Sequence, residues 1–406
     1  MSPSQRILIY AELLSNIRQV SVGCTLPTPV SAVTRATVSA DGRTLAVAHD
    51  GSNETIRLPE SVVPIPQLPI RVSGGGTSLS WRLPLAAAAP ATGRVLPTAT
   101  EEPVPWSATD LEPGSTVVCG TCKSTIVDAS TLKVWKDLPS ENWAEMMEFW
   151  HCHKPHGHGH DNDEEHLTSR GYGASSRITA QPGVGFVDLT SFLLADSDLA
   201  KCSITASSGI NNLGNETKAT NTLHCTSCKT DIGVQNNQDP SSISLFKWQV
   251  LVQQQNHVSP ELPPPSLAQC VSAMLLATMA RSGCSKSILL PIKPQPSHSA
   301  QSEDTNQLQD LLNIWVFNAN IMYSSTEAPT SPTSAIKVFY RTVSQKAADK
   351  MLDSITSDVQ DISLPSEAIT AIFGLLNRSN DFVPQSDRKF QEWTVGLLEK
   401  SSSTGG

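Results

Sequence analysis

The sequence predicts a mainly β protein that also contains helices, an α+β fold of antiparallel sheets with helices near its C-terminal end. Two observations support this prediction. Short apolar runs punctuated by proline and glycine, such as "RTLAVAHD" and "IRLPESVVPI", recur over residues 1–118 and are typical of short strands joined by tight turns. Apolar residues at helical spacing occur in only a few segments, most of them in the second half of the chain.

Composition limits the classes of function. The 406 residues are enough to bury a substantial core, and the net charge of -9, without a cluster of Lys and Arg, argues against a nucleic-acid partner. No run of about 18 apolar residues predicts a membrane span, and the N-terminus does not resemble a signal peptide. We therefore expect a soluble protein of the cytoplasm and nucleus. Its nine cysteines would be kept reduced there, so closely spaced pairs predict metal ligands before disulfides.

The second half of the chain contains the clearest individual elements. "SLAQCVSAMLLATMA" at 266–280 predicts a helix, and "SKSILLPI" after it predicts a strand. The stretches "LLNIWVFNANIMYS" and "AIKVFYRTVS" predict two strands of a hairpin with a long connection. Helices are predicted to close the chain, one on the periodicity of Ile369, Ile372 and Leu376 together with Phe373, and another on that of Phe390, Trp393 and Leu397.

These elements divide the chain into four predicted regions. An N-terminal β-rich region is predicted for residues 1–114, and a central zinc-knuckle region for 115–250, with a histidine-rich loop at 151–166. A C-terminal α+β region is predicted for 251–400, with a polar linker at 292–308, and the tail at 401–406 is predicted to be disordered.

Two central segments resemble one another and predict a metal site. "VVCGTCKSTIV" contains Cys119 and Cys122, "LHCTSCKTDIG" contains Cys225 and Cys228, and both share the pattern C-x-x-C-K-[ST]-x-I. A C-x-x-C turn lets two thiolates face one ion, and two such turns complete a tetrahedral zinc site. Four thiolates leave no open coordination position, so the zinc is predicted to be structural. About a hundred residues separate the pairs, and the fold must bring them together.

The stretch "PSENWAEMMEFWHCHKP" at 139–155 places a cysteine between two histidines at the end of a predicted amphipathic helix. His151 and His153 could lower the pKa of the Cys152 thiol and act as a base, which would make Cys152 a candidate catalytic nucleophile. The alternatives are a buried structural cysteine or an additional zinc ligand. The histidines of the 151–166 loop lie among Gly, Asp and Glu, and a solvated loop is a simpler explanation for them than a metal site.

Several of these stretches together resemble the HECT-like E2-binding protein family. They are "SWRLPLA", "CGTCKS", "LPSENWAEMMEFWHCHKP", "LHCTSCKTDIG", "LLNIWVFNANIMYSS", "AIKVFYRTV" and "VPQSDRKFQEWTVGLLEK", and they extend from about residue 8 to about residue 400. The paired knuckles also resemble those of β-tent zinc folds, in which two C-x-x-C turns from facing antiparallel sheets share one zinc. That resemblance would explain the long insert.

The resemblance implies an E3 ubiquitin-protein ligase that binds a ubiquitin-conjugating enzyme (E2) and transfers ubiquitin to lysines of substrates and of itself. It also implies links to cyclins and to the endonuclease of mRNA 3'-end processing. HECT ligases have an acceptor cysteine close to the C-terminus, whereas the last cysteine here is Cys284, so Cys152 is the preferred candidate for a thioester. The alternative is a non-enzymatic, zinc-stabilised adaptor or chaperone for a partner such as that endonuclease.

Overall fold

The computed structural model describes residues 6–70, 76–86, 105–138, 179–200, 204–206, 220–236, 239–254, 263–292, 310–328, 331–354 and 358–401. The predicted helix at the "SENW" stretch, the histidine-rich loop and the proposed catalytic residues His151, Cys152 and His153 lie outside the described residues. So do most of the predicted linker and the end of the tail.

The described chain is mostly β-strand with three α-helices, which confirms the mainly β prediction. Six strands come first: β1 (Leu8–Leu14), β2 (Gln19–Thr25), β3 (Arg35–Val38), β4 (Thr44–His49), β5 (Ser52–Arg57) and β6 (Ser78–Pro84). The central strands are β7 (Thr116–Cys119), β8 (Thr125–Val127), β9 (Val134–Asp137), β10 (Val184–Val187), β11 (Ser191–Ala195), β12 (Ile204–Ala206), β13 (Thr220–Cys225), β14 (Asp231–Asn236), β15 (Asp239–Phe246) and β16 (Val250–Gln253).

The remaining elements of the described chain are three helices and six strands. In chain order they are α1 (Leu267–Ser282), β17 (Lys286–Pro291), β18 (Leu311–Ser325), β19 (Thr333–Val343), α2 (Gln345–Leu352), β20 (Val359–Leu364), α3 (Ser366–Asn380), β21 (Lys389–Phe390) and β22 (Trp393–Glu399). Among the described helices, none is both long enough and apolar enough to cross a membrane.

The chain forms two compact units. Unit 1 contains residues Met1–Pro103, Val271–Pro291 and Asn306–Gly406, and unit 2 contains Val104–Cys270 and Ile292–Thr305. The regional boundaries predicted from the sequence, at residues 114, 250 and 400, stay predictions.

Unit 1 is built on a nine-stranded sheet to which both ends of the chain contribute. Its main path runs β21-β22-β19-β18-β1-β2-β6, while β17 pairs with β18 and with β20. Tyr10 of β1 lies opposite Ser325 of β18, and most pairs are antiparallel, although β17 and β20 run parallel. A second sheet, β3-β4-β5, packs its alternating apolar residues into the same core as β1 and β2.

The described residues of unit 2 form a seven-stranded sheet and a three-stranded sheet that share one core. The larger sheet has the order β12-β13-β14-β15-β11-β10-β9 and the smaller one β16-β7-β8. Val117 and Ile126 of the small sheet pack in one cluster with Phe192, Leu194 and Ile243 of the large sheet. Because strands on both sides supply buried apolar residues, this core holds the two sheets together.

The structure confirms most of the predicted C-terminal elements and corrects one. The helix at 266–280, the strand after it, the β18-β19 hairpin and the helix at 366–380 are present. The second closing helix is wrong, because Trp393–Glu399 forms strand β22, which pairs with β19. Trp393, Val395 and Leu397 share one face of that strand, and this alternation competes with the helical spacing. Gly396 lets Leu376 of α3 pack closely over the strand.

Candidate metal centre

Two hairpin turns of unit 2 bring the four knuckle cysteines together. Cys119 ends β7 before the turn into β8, and Cys225 ends β13 before the turn into β14. The second cysteine of each pair lies within its turn, and the two hairpins belong to the two different sheets of the unit. The fold therefore closes the gap of about a hundred residues that separates the motifs in the sequence.

Both turns have the same backbone geometry. The residue after each C-x-x-C motif is a lysine in the left-handed region, with φ of 64° at Lys123 and 63° at Lys229. The N–H of Lys123 donates to the Cys119 carbonyl at 3.0 Å, and the N–H of Lys229 donates to the Cys225 carbonyl at 2.8 Å. Each first cysteine donates its N–H to a carbonyl five residues later, that of Ser124 or Thr230, at 2.9 Å. The shared sequence pattern thus corresponds to a shared turn.

The four sulfur atoms have the spacing of a four-thiolate metal site. The Sγ atoms of Cys119, Cys122, Cys225 and Cys228 all lie within 4.8 Å of one another. Two close approaches join the knuckles, one between Cys119 and Cys228 and the other between Cys122 and Cys225, both at 3.6 Å. Zn–S bonds of about 2.3 Å in a tetrahedron place sulfurs roughly 3.8 Å apart, so these residues fit zinc.

The contacts between the knuckles are reciprocal. Ser124 Oγ lies 2.9 Å from Ser227 Oγ, and Thr230 Oγ1 lies 3.3 Å from Thr121 Oγ1. Ser124 and Thr230 hold the same position in the two motifs, as do Thr121 and Ser227. Exchanging the two knuckles therefore converts one hydroxyl contact into the other. The same exchange converts one of the two sulfur pairs into the other. The centre therefore has an approximate two-fold arrangement.

The surroundings of Cys119 differ from those of Cys122 and Cys228. Burial raises the pKa of the Cys119 thiol to about 12. Ser124, whose hydroxyl lies 3.2 Å from Cys122 Sγ, lowers the pKa of Cys122 to about 6, and Thr230 lowers the pKa of Cys228 in the same way. Hydroxyl groups beside the sulfurs favour the thiolate form that a metal requires. These two hydroxyl residues are part of the site, and the shared K-[ST] of the motifs is the sequence signal that indicates them.

A buried lysine lies in the same unit and was not predicted from the sequence. The side chain of Lys247 is inaccessible to solvent, and its Nζ donates to the carbonyls of Pro105, at 2.5 Å, and Trp106, at 3.0 Å. The ammonium also lies 5.6 Å from the centre of the Phe192 ring. Burial lowers the pKa of Lys247 to about 8. Its bonding partners are backbone carbonyls, which indicates a structural role.

The other described cysteines differ in accessibility. Cys24 and Cys270 are buried, and burial raises the pKa of each thiol to about 12, so neither is suited to nucleophilic attack. Cys284 is partly exposed. Cys152 and Cys202 lie outside the described residues, and the role assigned to Cys152 and its flanking histidines stays a prediction.

Comparison with known proteins identifies the family. Residues 12–395 match the family model described as HECT-like ubiquitin-conjugating enzyme (E2)-binding. The chain belongs to this family. The resemblance found in the sequence is thereby confirmed over nearly the whole length of the protein, including both knuckles.

Relatives of this family member are distant. An uncharacterized protein of Schizosaccharomyces pombe is 27% identical over 310 residues, covering 73% of this chain and 77% of the relative. Two proteins that are named as E3 ubiquitin-protein ligases, one from Pongo abelii and one from Homo sapiens, are each 22% identical, and each alignment covers 70% of this chain and 72% of the relative. No solved structure matches the chain.

Proposed function

We propose that this protein is an E3 ubiquitin-protein ligase that binds a ubiquitin-charged E2 and promotes ubiquitin transfer to lysines of substrates and of itself. The observation that supports this most is the match to the E2-binding family over residues 12–395. The names of the Pongo abelii and Homo sapiens relatives point to the same activity. We place this activity in the cytoplasm and nucleus.

We propose that the metal centre is a structural zinc site with a β-tent-like arrangement. Cys119, Cys122, Cys225 and Cys228 would hold the ion, and when bound it would supply folding free energy by joining two sheets. A four-thiolate site is closed, with no coordination position for a substrate. The centre therefore supports the fold that presents the E2-binding surface.

Ubiquitin transfer can follow two chemical routes. In the direct route, a substrate lysine amine attacks the thioester carbonyl of the charged E2, the C–S bond breaks, the E2 cysteine leaves as a thiolate and the amine loses a proton. In the two-step route, a cysteine of this chain first accepts ubiquitin as a second thioester. Because Cys24 and Cys270 are buried and the four knuckle cysteines would hold the metal, the second route requires Cys152, Cys202 or Cys284. Cys152, between His151 and His153, is our proposed acceptor.

The test is discharge of ubiquitin-charged E2 enzymes by the pure full-length protein, followed on non-reducing and reducing gels. We expect at least one E2 of a panel to lose its ubiquitin faster when the protein is present. A reducible ubiquitin adduct on the protein that disappears in Cys152→Ser identifies the acceptor. Cys284→Ser is the matched control, since it removes a partly exposed thiol, and it should retain the adduct.

The outcomes separate the ligase from the second candidate function, a zinc-stabilised adaptor that holds a protein partner. Faster discharge without an adduct supports direct transfer. If no E2 is discharged and none binds, the ligase proposal is wrong. The burial of Cys24 and Cys270 and the closed metal centre favour the adaptor in that case.

A further inference from the structure

A group of aromatic residues forms an open face on the large sheet of unit 1. The rings of Trp315, Phe317, Phe339, Phe390 and Trp393 contact one another, with Phe317 and Phe339 centred 4.7 Å apart and Phe339 and Phe390 stacked at 5.1 Å. Trp315 lies edge-on to Phe339 at 5.2 Å and to Trp393 at 5.8 Å. We call these five residues the aromatic face.

Two members of the aromatic face are exposed. Phe317 is 57% accessible to solvent and Phe390 is 45% accessible, whereas Phe339 and Trp393 are buried beneath them. Exposed aromatic rings supported by buried ones are typical of protein–protein interfaces, in which Trp, Tyr, Phe and Arg provide most of the binding energy. The arrangement therefore indicates a docking surface.

A β-bulge interrupts the strand pairing at Phe317, which lies two residues after Trp315 and so shares its face. Val316 of β18 lies opposite Val338 of β19, but the next registered pair joins Asn318 to Lys337, so Phe317 is an extra residue without a partner in the ladder. Bulges redirect side chains and are frequent near functional sites. The strand thus departs from regular pairing at the position where its most exposed aromatic ring lies.

The opposite face of the same sheet is covered. Tyr340 follows Phe339 in β19 and so points to the other side, where it meets Phe373 of α3 at 6.1 Å. Leu376 of α3 packs over Gly396 on that side. Helix α3 therefore covers one side of the strands, and the aromatic face occupies the other.

Two cation–carboxylate pairs border the aromatic face. Lys286 lies over Trp315 at 5.4 Å and Arg341 over Trp393 at 4.3 Å, and the nearby carboxylates of Asp358 and Glu392 are already paired with these two cations. Lys400 donates to the carbonyl of Ala319, two residues from Phe317. An apolar centre with a charged border is the anatomy of a protein–protein interface, and it selects a partner patch that is also apolar at its centre and polar at its edge.

We propose that the aromatic face is the docking surface for the ubiquitin-conjugating enzyme, which contacts it through an apolar patch with a polar border. This assignment rests on the proposed function, because the family match supplies the E2 as partner. Phe317 and Phe390 are its central contacts.

The test measures the affinity of the full-length protein for uncharged E2 enzymes by biolayer interferometry, so that ubiquitin does not contribute. Phe317→Ser and Phe390→Ser should each weaken binding about tenfold or more, since central aromatic residues dominate interfaces. Phe373→Ser, a partly exposed ring on the covered side, is the matched control and should bind like the parent.

The unfolding midpoint of each variant shows whether the fold is intact, and we expect little change because both rings are exposed. If the parent binds an E2 and the Phe317 and Phe390 variants bind equally well, the docking surface is wrong and the proposed function stands. Equal weakening by Phe373→Ser also contradicts the surface. If the parent binds none of the E2 enzymes, both the surface and the E2 binding of the proposed function are wrong. If the Phe317 and Phe390 variants lose binding to free ubiquitin but bind the E2 like the parent, ubiquitin is the occupant of the face and the proposal is wrong.

Discussion

Lys247 donates hydrogen bonds to two buried backbone carbonyls, those of Pro105 and Trp106. Trp106 has a φ of 51°, in the left-handed region, where a bulky residue is uncommon. The two hydrogen bonds from Lys247 fix the backbone at that position and satisfy carbonyls that water does not reach. The ammonium also interacts with Phe192, which links this contact to the core of unit 2.

We predict that Lys247→Met lowers the unfolding free energy of unit 2 by about 2–3 kcal/mol. Methionine fills a similar volume, but it leaves two buried carbonyls without a donor, at a cost of about 1–3 kcal/mol each, and removing the buried charge offsets part of that loss. Urea unfolding measured by tryptophan fluorescence tests this. Lys136→Met on β9 is the control, because Lys136 is exposed, and an equal effect of both substitutions would contradict the prediction.

The pH dependence provides a second readout for the same residue. Burial lowers the pKa of Lys247 to about 8 in the folded state, below the value of about 10.4 expected in the unfolded chain. Between these values the unfolded state binds more protons, so the contribution of this lysine to stability rises with pH from about 8 to about 10. Below pH 8 it is constant. The stability difference between parent and Lys247→Met should therefore widen over that interval, and a constant difference would contradict the assignment.

The knuckle turn is the element that repeats in this protein. Lys123 and Lys229 occupy the left-handed position after each C-x-x-C motif, where a side chain with a Cβ is strained. The strain is accepted because the turn directs two cysteines and two backbone N–H groups to one side. Both turns have this geometry, and the same substitution should have the same effect in either.

We predict that Lys123→Val and Lys229→Val each destabilise unit 2 by about 1–2 kcal/mol, because β-branched residues tolerate the left-handed region poorly. The corresponding glycine variants should stay within about 0.5 kcal/mol of the parent, since glycine relieves the strain but gives the unfolded chain more freedom. Denaturant unfolding with zinc present measures both sets. A valine variant as stable as its glycine counterpart would contradict a role for the turn conformation.

Elements were predictable where periodicity was local and unambiguous. The C-x-x-C spacing predicted the four cysteines of the centre, and the patterns of α1 and α3 predicted those helices. The helix prediction at the C-terminal end was wrong because the spacing of Phe390, Trp393 and Leu397 also fits a helix. The observed strand is determined by the pairing of β22 with β19, some fifty residues earlier. The bulge at Phe317 and the burial of Lys247 could not be predicted, because both depend on partners distant in the sequence.

At the scale of the whole molecule, each of the two units is stabilised internally in a different way. Unit 1 closes its sheet by pairing β1 with β18, which lies about three hundred residues later, and it has its own apolar clusters. Unit 2 has a separate core whose two sheets are joined at the knuckles. A metal at that centre would therefore stabilise one unit directly, and the sequence could not show this division because neither unit is a continuous segment.

We predict that removing the metal unfolds unit 2 and leaves unit 1 folded. Without the metal, the metal–sulfur bonds that would join the two sheets are absent. Structural zinc sites supply several kcal/mol of folding free energy. Hydrogen exchange measured by mass spectrometry, with and without a zinc chelator, should show loss of protection in β7, β13 and β14 and retained protection in β18 and β19. Cys119→Ser should reproduce the effect without chelator, whereas Cys284→Ser should not, because Cys284 lies outside the centre. Equal loss of protection in both units would mean that they unfold together. No loss in either unit would mean that the fold of unit 2 does not depend on a metal.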